Sequence, residues 1–244
     1  MSLLTDAFRW ILASEQWQGS NALHVLLLQH LTFTVLTVAG AALIAVPAGW
    51  AIGHTGRGRE ISVGLSGAAR AVPSFGLLIL LVLVFGVTQK TEAALVTFVV
   101  LAIPSLLAGA YSGIEAIDRS VIDSARAVGM SERQILFRVE IPLGLPLLMG
   151  GIRSAMLQVI ATVTIAAYVN LGGLGLPIIT GLALRRYDMV LGGALLVALL
   201  ALVIDGLLTL MQRMSVPRGL RSTVHGVSNA QRAPALRSTR ANNS

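Results

Sequence analysis

"ALHVLLLQHLTFTVLTVAGAALIAVPAGWAIGHTG", residues 22–56, contains no aspartate, glutamate, lysine or arginine. A helix needs about 20 apolar residues to cross the hydrocarbon of a bilayer, so this stretch reads as a membrane span. The rest of the chain agrees. Of 244 residues, 55% are hydrophobic and 12% charged, with mean hydropathy +0.80, whereas soluble domains carry about 25% charge. Cysteine is absent, which excludes a disulfide framework, a thiolate metal site and a cysteine nucleophile.

Outward from this span the pattern repeats. Residues 61–88 hold one charge, Arg70; residues 93–114 hold none; residues 141–184 hold only Arg153; residues 189–211 hold only Asp205. The 141–184 stretch is too long for one ordinary helix, and "NLGGLGLP" at 170–177 breaks it with three glycines and a proline. The expectation is an all-α polytopic membrane protein of about five spans, with span four near 147–169 and a short element after it. Residues 1–21 lack the basic start and cleavage site of a removable signal. Their Trp10 and Trp17 suit an interfacial segment, although a polar lead-in fits equally.

Loop charges fix the direction. With the N-terminus outside, the inner loops and tail carry twelve arginines, against Arg9, Lys90, Arg185 and Arg186 outside. Basic residues concentrate on the cytoplasmic side, so the C-terminus and residues 118–142 are expected there. The membrane region is expected over 22–215, followed by a disordered basic tail at 216–244. The net charge of +7 lies beside apolar spans, which points to lipid and topology rather than to nucleic acid.

"DSARAVGMSERQILFRVEIPLGLP", 123–146, is the one long charged interruption. Ser120 with Asp123, and Ser131 with Gln134, have capping-box spacing, which predicts two short helices hinged at Gly129. Val121, Ile122, Ala125 and Val128 share a face of the first, and Ile135, Leu136 and Val139 of the second. Pro142 and Pro146 are expected to end the element, because proline lacks the amide donor. Such a pair either packs on its own membrane domain as a solvated loop or fits a groove in another protein.

Inside the spans, ionisable groups are functional candidates because an unpaired charge in hydrocarbon is costly. Along a helix Arg153 lies about 16 Å from Pro142 and Asp205 about 12 Å from Arg213. At similar depth, Asp205 is able to pair with Arg153 or with Arg70, or each charge is solvated separately. Pro73 and Pro104 sit in Pro-Ser steps where a missing amide frees a carbonyl. Such carbonyls, with the hydroxyls of Ser74, Ser105, Thr162 and Thr164, suit either a polar path or back-bonded kinks. Gly49 with Gly53, and Gly109 with Gly113, have the spacing of close helix packing.

No enzyme chemistry is expected. The single lysine, Lys90, follows Gln89 and not the glycine of a phosphate-binding loop. The four histidines lack paired metal-ligand spacing and no serine occupies a nucleophile elbow. His24 and His30 read as markers of a helix entrance.

Asp123, Ser124 and Ala125, then Gly129, then Val139, Ile141 and Pro142 resemble the "EAA" loop of permease subunits of ATP-binding cassette importers. Asp123 stands where that loop has glutamate and Ser124 where it has alanine. The stretches at 71–86, 102–118, 150–156 and 170–183 are similar to those of osmoprotectant importer permeases, for glycine betaine, carnitine, choline or proline. The resemblance implies a type I importer fold in a bacterial inner or plasma membrane, and a second permease, identical or homologous. It also implies cassette ATPase subunits docked on the loop and an extracytoplasmic binding protein. ATP and Mg would belong to the partner ATPase, with no cofactor on this chain. A permease for another solute, such as an amino acid, shares this architecture. A stand-alone secondary transporter is the different-class alternative, but it should show internal repeats and midplane ion ligands.

Overall fold

The computed structural model describes residues 2–58, Glu60, Gly64, Gly67 and residues 71–215. Arg70 and the expected tail at 216–244 lie outside the described residues. Regular structure among the described residues is helical throughout. Four helical segments are long and apolar enough to cross a membrane: Leu23–Thr55, Val87–Glu115, Glu132–Val169 and Tyr187–Gln212. The described residues of the expected second span include the shorter apolar helix Ser74–Phe85.

Helix α1 (Leu3–Leu12) starts where the Ser2 side chain accepts from the amide of Thr5. It buries Ala7 and Trp10 and leaves Leu3, Leu4, Phe8 and Leu12 exposed. This is the two-faced character an interfacial helix needs. Helix α2 (Leu23–Thr55) continues through Pro47 and ends at Gly56, whose φ of 69° opens the left-handed cap. Helix α3 (Ser74–Phe85) begins directly after Pro73, so that proline starts a helix instead of kinking one. Helix α4 (Lys90–Glu115) carries Pro104 internally.

Lipid tails are as apolar as leucine, so burial alone does not drive these helices together; close backbone approach does. A Cβ on Gly49 would lie 2.6 Å from the Cβ of Ala110, and one on Gly53 2.8 Å from that of Ile114. On an adjacent face of α4, a Cβ on Gly109 would lie 2.6 Å from Gly151 Cα, and one on Gly113 2.6 Å from the Gly144 carbonyl oxygen. Both expected small-residue pairs are packing faces. Around them Leu78, Phe98, Leu106 and Val159 form the main core.

Two short helices, α5 (Arg119–Ala127) and α6 (Glu132–Ile135), form the charged loop. Pro142 and Pro146 do not end it, contrary to the sequence expectation. From Glu132 the chain runs through a wide π turn at Leu136–Glu140 into α7 (Ile141–Val163) and a 3-10 segment, Thr164–Val169. Pro142 has no N–H for the preceding turn; in the widened turn the Ile141 amide reaches back to the Leu136 carbonyl, and the helix continues. The 170–177 break is present: Asn170, Gly172 and Gly173 all have positive φ. Helix α8 (Gly175–Ala183) and helix α9 (Tyr187–Ser215) follow.

Candidate functional site

Helix α5 is capped by Asp118, whose Oδ1 accepts the Ser120 amide at 2.8 Å. That bond holds the Asp118 carboxyl below its ordinary value. The expected Ser120–Asp123 capping box is therefore not the one formed, because Asp118 reaches the first free amides from outside the helix. The second box is formed: the Ser131 amide donates to Gln134 Oε1 at 2.8 Å and the Gln134 amide to Ser131 Oγ at 3.4 Å. Between the two helices Gly129 has φ +86°. Arg126 grips Glu132 across this hinge, Nε to Oε1 at 2.9 Å and Nη2 to Oε2 at 3.2 Å. That contact lowers the Glu132 carboxyl and raises the Arg126 guanidinium. Both side chains are about half exposed, so the pair sets the angle between the helices more than it adds stability.

Ile122, Ala125 and Ile135 are buried together, with Ile117, Met130 and Val139 packed on them. Three residues assigned to these faces by spacing do not join the cluster. Val121 is exposed, Leu136 is half-buried outside it, and Val128 is 78% exposed because the helix ends at Ala127 before the position turns inward. Phe137, 64% exposed, was not singled out in the sequence. Asp123 and Ser124 are exposed, Ala125 is buried, and Ile141 and Pro142 are half-buried at the head of α7. The loop thus has a buried seam and an outer surface carrying separate apolar side chains.

A connection from the loop into the membrane was missed as well. His54, at the end of α2, places Nδ1 2.5 Å from Glu140 Oε2 and Nε2 3.6 Å from Glu132 Oε2. Glu140 is 5% exposed. The loop, the head of α7 and the foot of α2 are joined by these contacts around a cavity of about 310 Å³. Sequence spacing gave no signal, since the partners are 86 residues apart.

Deeper in the bundle, Ser74, Ser105, Ser154, Gln158 and Thr162 line a second cavity of about 390 Å³ between α3, α4 and α7. Ser105 donates to Gln158 Oε1 at 2.9 Å, and Gln158 Nε2 donates to the Leu101 carbonyl at 3.0 Å. Pro104, buried one position before Ser105, offers no amide to its own helix. Three of the four expected hydroxyls meet here. Thr164 is not among the lining residues; its hydroxyl bonds back to the Ala161 carbonyl at 2.7 Å in the 3-10 turn. Ser154 and Gln158 were not foreseen.

Arg153 and Asp205 form a two-point ion pair, Nε to Oδ1 and Nη2 to Oδ2, the latter at 2.8 Å. The pair ties α7 to α9, and Gln212 donating to the Pro146 carbonyl at 2.9 Å adds a second tie. Toward the other end, Gln29 and His30 of α2 hold the 170–177 break. Gln29 Oε1 accepts the Gly173 amide at 3.1 Å, and His30 Nδ1 accepts the Leu174 amide at 3.3 Å. His30 Nε2 is then left to donate to the Ile160 carbonyl at 3.0 Å. His24 stacks on Trp17 with centroids 6.5 Å apart. Among the described residues no three His, Asp or Glu side chains gather as a metal site requires.

A family model described as "Binding-protein-dependent transport system inner membrane component" matches residues 25–218. The carnitine transport permease protein OpuCB of Listeria monocytogenes is 33% identical over 211 residues, 86% of this chain and 95% of that protein. The glycine betaine/carnitine/choline transport system permease protein OpuCB of Bacillus subtilis is 31% identical, over 79% of this chain and 88% of that one. Among solved structures, an inward-facing MetNI methionine ABC transporter matches with TM-score 0.69 at 19% identity, covering 80% of this chain and 96% of that chain. That likeness shows a shared fold.

Proposed function

The chain belongs to the family of binding-protein-dependent transport system inner membrane components, and from that membership we propose that it forms the translocation path of an ATP-driven osmoprotectant importer. The single observation that carries the reading is a capped, hinged helix pair joined through a continuous helix, Glu132–Val169, to the polar cavity. A cassette ATPase would grip the outer surface of the loop at Val121, Val128 and Phe137. Movement of the loop would pass along the helix through Val139, Ile141 and Pro142. The solute class follows the relatives: glycine betaine, carnitine or choline, delivered by an extracytoplasmic binding protein. A second permease would complete the path, with the N-terminus outside and the C-terminus in the cytoplasm.

Purification in mild detergent is expected to recover an ATPase subunit with this chain. Vesicles holding the whole complex should take up glycine betaine, choline or carnitine only with ATP inside and binding protein outside. Transport by this chain alone, without an ATPase, would overturn the reading. Gly129→Val gives a narrower test. A Cβ there meets nothing within 4 Å, so the substitution acts through the left-handed backbone, which costs an L-residue about 1–2 kcal/mol. At about 1.4 kcal/mol per tenfold, uptake per ATP is expected to fall roughly 5- to 30-fold in a folded complex. Unchanged coupling would remove Gly129 from the mechanism.

A further inference from the structure

Among the described residues the lining of the polar cavity is neutral: three serines, a threonine and a glutamine, with Val72 and Leu101. Hydroxyls and amides suit the carboxylate or hydroxyl end of a small solute. A quaternary ammonium has no N–H to donate and carries its charge behind methyl groups, so these side chains offer it little. Its usual partners are carboxylates and the faces of aromatic rings. Two rings stand in position. Phe75 follows the cavity residue Ser74, and Tyr168 lies six residues beyond the cavity residue Thr162. Their centroids are 4.9 Å apart and their planes meet at 61°.

Both rings are unusually open for such a pair, Phe75 at 44% and Tyr168 at 54%. The helical periodicity of α3 shows on which stripe Phe75 stands. Leu78 and Val82, at i+3 and i+7, are buried, whereas Leu80, Leu83 and Val84 are exposed on the other side. Phe75 therefore shares the stripe of Leu78 and Val82, where its ring meets that of Tyr168. An edge-to-face pair leaves ring faces uncovered, and those faces carry the negative end of the quadrupole.

Resting on the osmoprotectant reading above, we infer that Phe75 and Tyr168 form the station on the path that holds a methylated ammonium group, while the cavity hydroxyls face the rest of the solute. The rings act as specificity-determining residues, separate from the coupling loop.

The test uses the complete transporter with its ATPase and binding protein, assayed with choline and glycine betaine. Phe75→Leu and Tyr168→Leu are expected to reduce uptake about 2- to 30-fold, the range that corresponds to a lost cation–π contact. Tyr168→Phe should keep near-normal uptake. Packing loss is separated from charge recognition by placing phenylalanines of increasing ring fluorination at 75 or 168, which weakens the ring quadrupole at almost constant shape. Uptake should fall stepwise with fluorine number while binding-protein-stimulated ATP hydrolysis persists. Fluorinated variants that carry choline at the normal rate would overturn the ring assignment and leave the osmoprotectant reading intact. An unsubstituted complex that carries neither solute, nor any other quaternary ammonium compound, would overturn both.

Discussion

Asp205→Arg is expected to cut the yield of folded protein at least about tenfold, because it sets two cations side by side within the spans. Adding Arg153→Asp in the same chain should recover a large part of that loss. The partners already meet at two points, so the pair has a fixed geometry and is not a chance approach of long side chains. Each neutral single change, Arg153→Ala or Asp205→Ala, should be damaging but milder than reversal, since one charge is left without its partner. The measurement is the monodisperse fraction after detergent extraction, read by size exclusion for the three single variants and the swap. A swap that recovers nothing would mean that the two residues act independently. The pair sits on the α7–α9 side of the bundle, whereas Ser154, the next residue, lines the cavity. The pair ties α7 to α9 while the neighbouring face of α7 lines the polar cavity.

The parts of this architecture that could be read from sequence are those the bilayer enforces. Backbone groups in hydrocarbon must bond within their own segment, so long uncharged stretches announce helices, and the charges left inside them announce partners at equal depth. Arg153 with Asp205 was one of the pairings open on that ground. Glycine spacing likewise announced the packing faces at Gly49, Gly53, Gly109 and Gly113, because only small residues let backbones touch.

What could not be read depends on register between distant segments. Gln158 offers no periodic signal; it matters because Ser105 and the Leu101 carbonyl lie within its reach. His54 carries no signal in the sequence beyond lacking a metal-ligand partner; its role rests on Glu140 beside it. Pro142 illustrates a local rule overtaken by its surroundings. Proline normally closes a helix, but a widened turn before it lets the chain continue, and that continuity joins loop to span. The misplaced first cap has a similar origin. Several side chains near residue 120 are able to cap, and the choice of Asp118 sets where the helix begins.

Gly151→Val is expected to be among the most damaging single uncharged changes. A Cβ at Gly151 would sit 2.7 Å from Gly109 Cα and 3.0 Å from the Ser105 carbonyl oxygen. These are backbone atoms, so no side-chain rotation relieves the contact and α4 and α7 must separate. Forcing extra atoms into such a contact costs about 1–3 kcal/mol or more, against a total stability of about 5–15 kcal/mol for a typical domain. The separation would also act further up the same interface. The Ser105–Gln158 hydrogen bond crosses between these two helices at the wall of the polar cavity. Even the protein that folds should therefore transport poorly. Gly206→Ala supplies the control, because it lies in α9 with nothing within 4 Å of an added Cβ. Removing a mid-helix glycine there should leave stability unchanged or raise it by about 0.5–1 kcal/mol. Thermal aggregation of the detergent-solubilised protein should show the valine variant melting well below, and the alanine variant at or above, the unsubstituted chain. Equal melting of the two would mean that close glycine contact between α4 and α7 does not hold the bundle together.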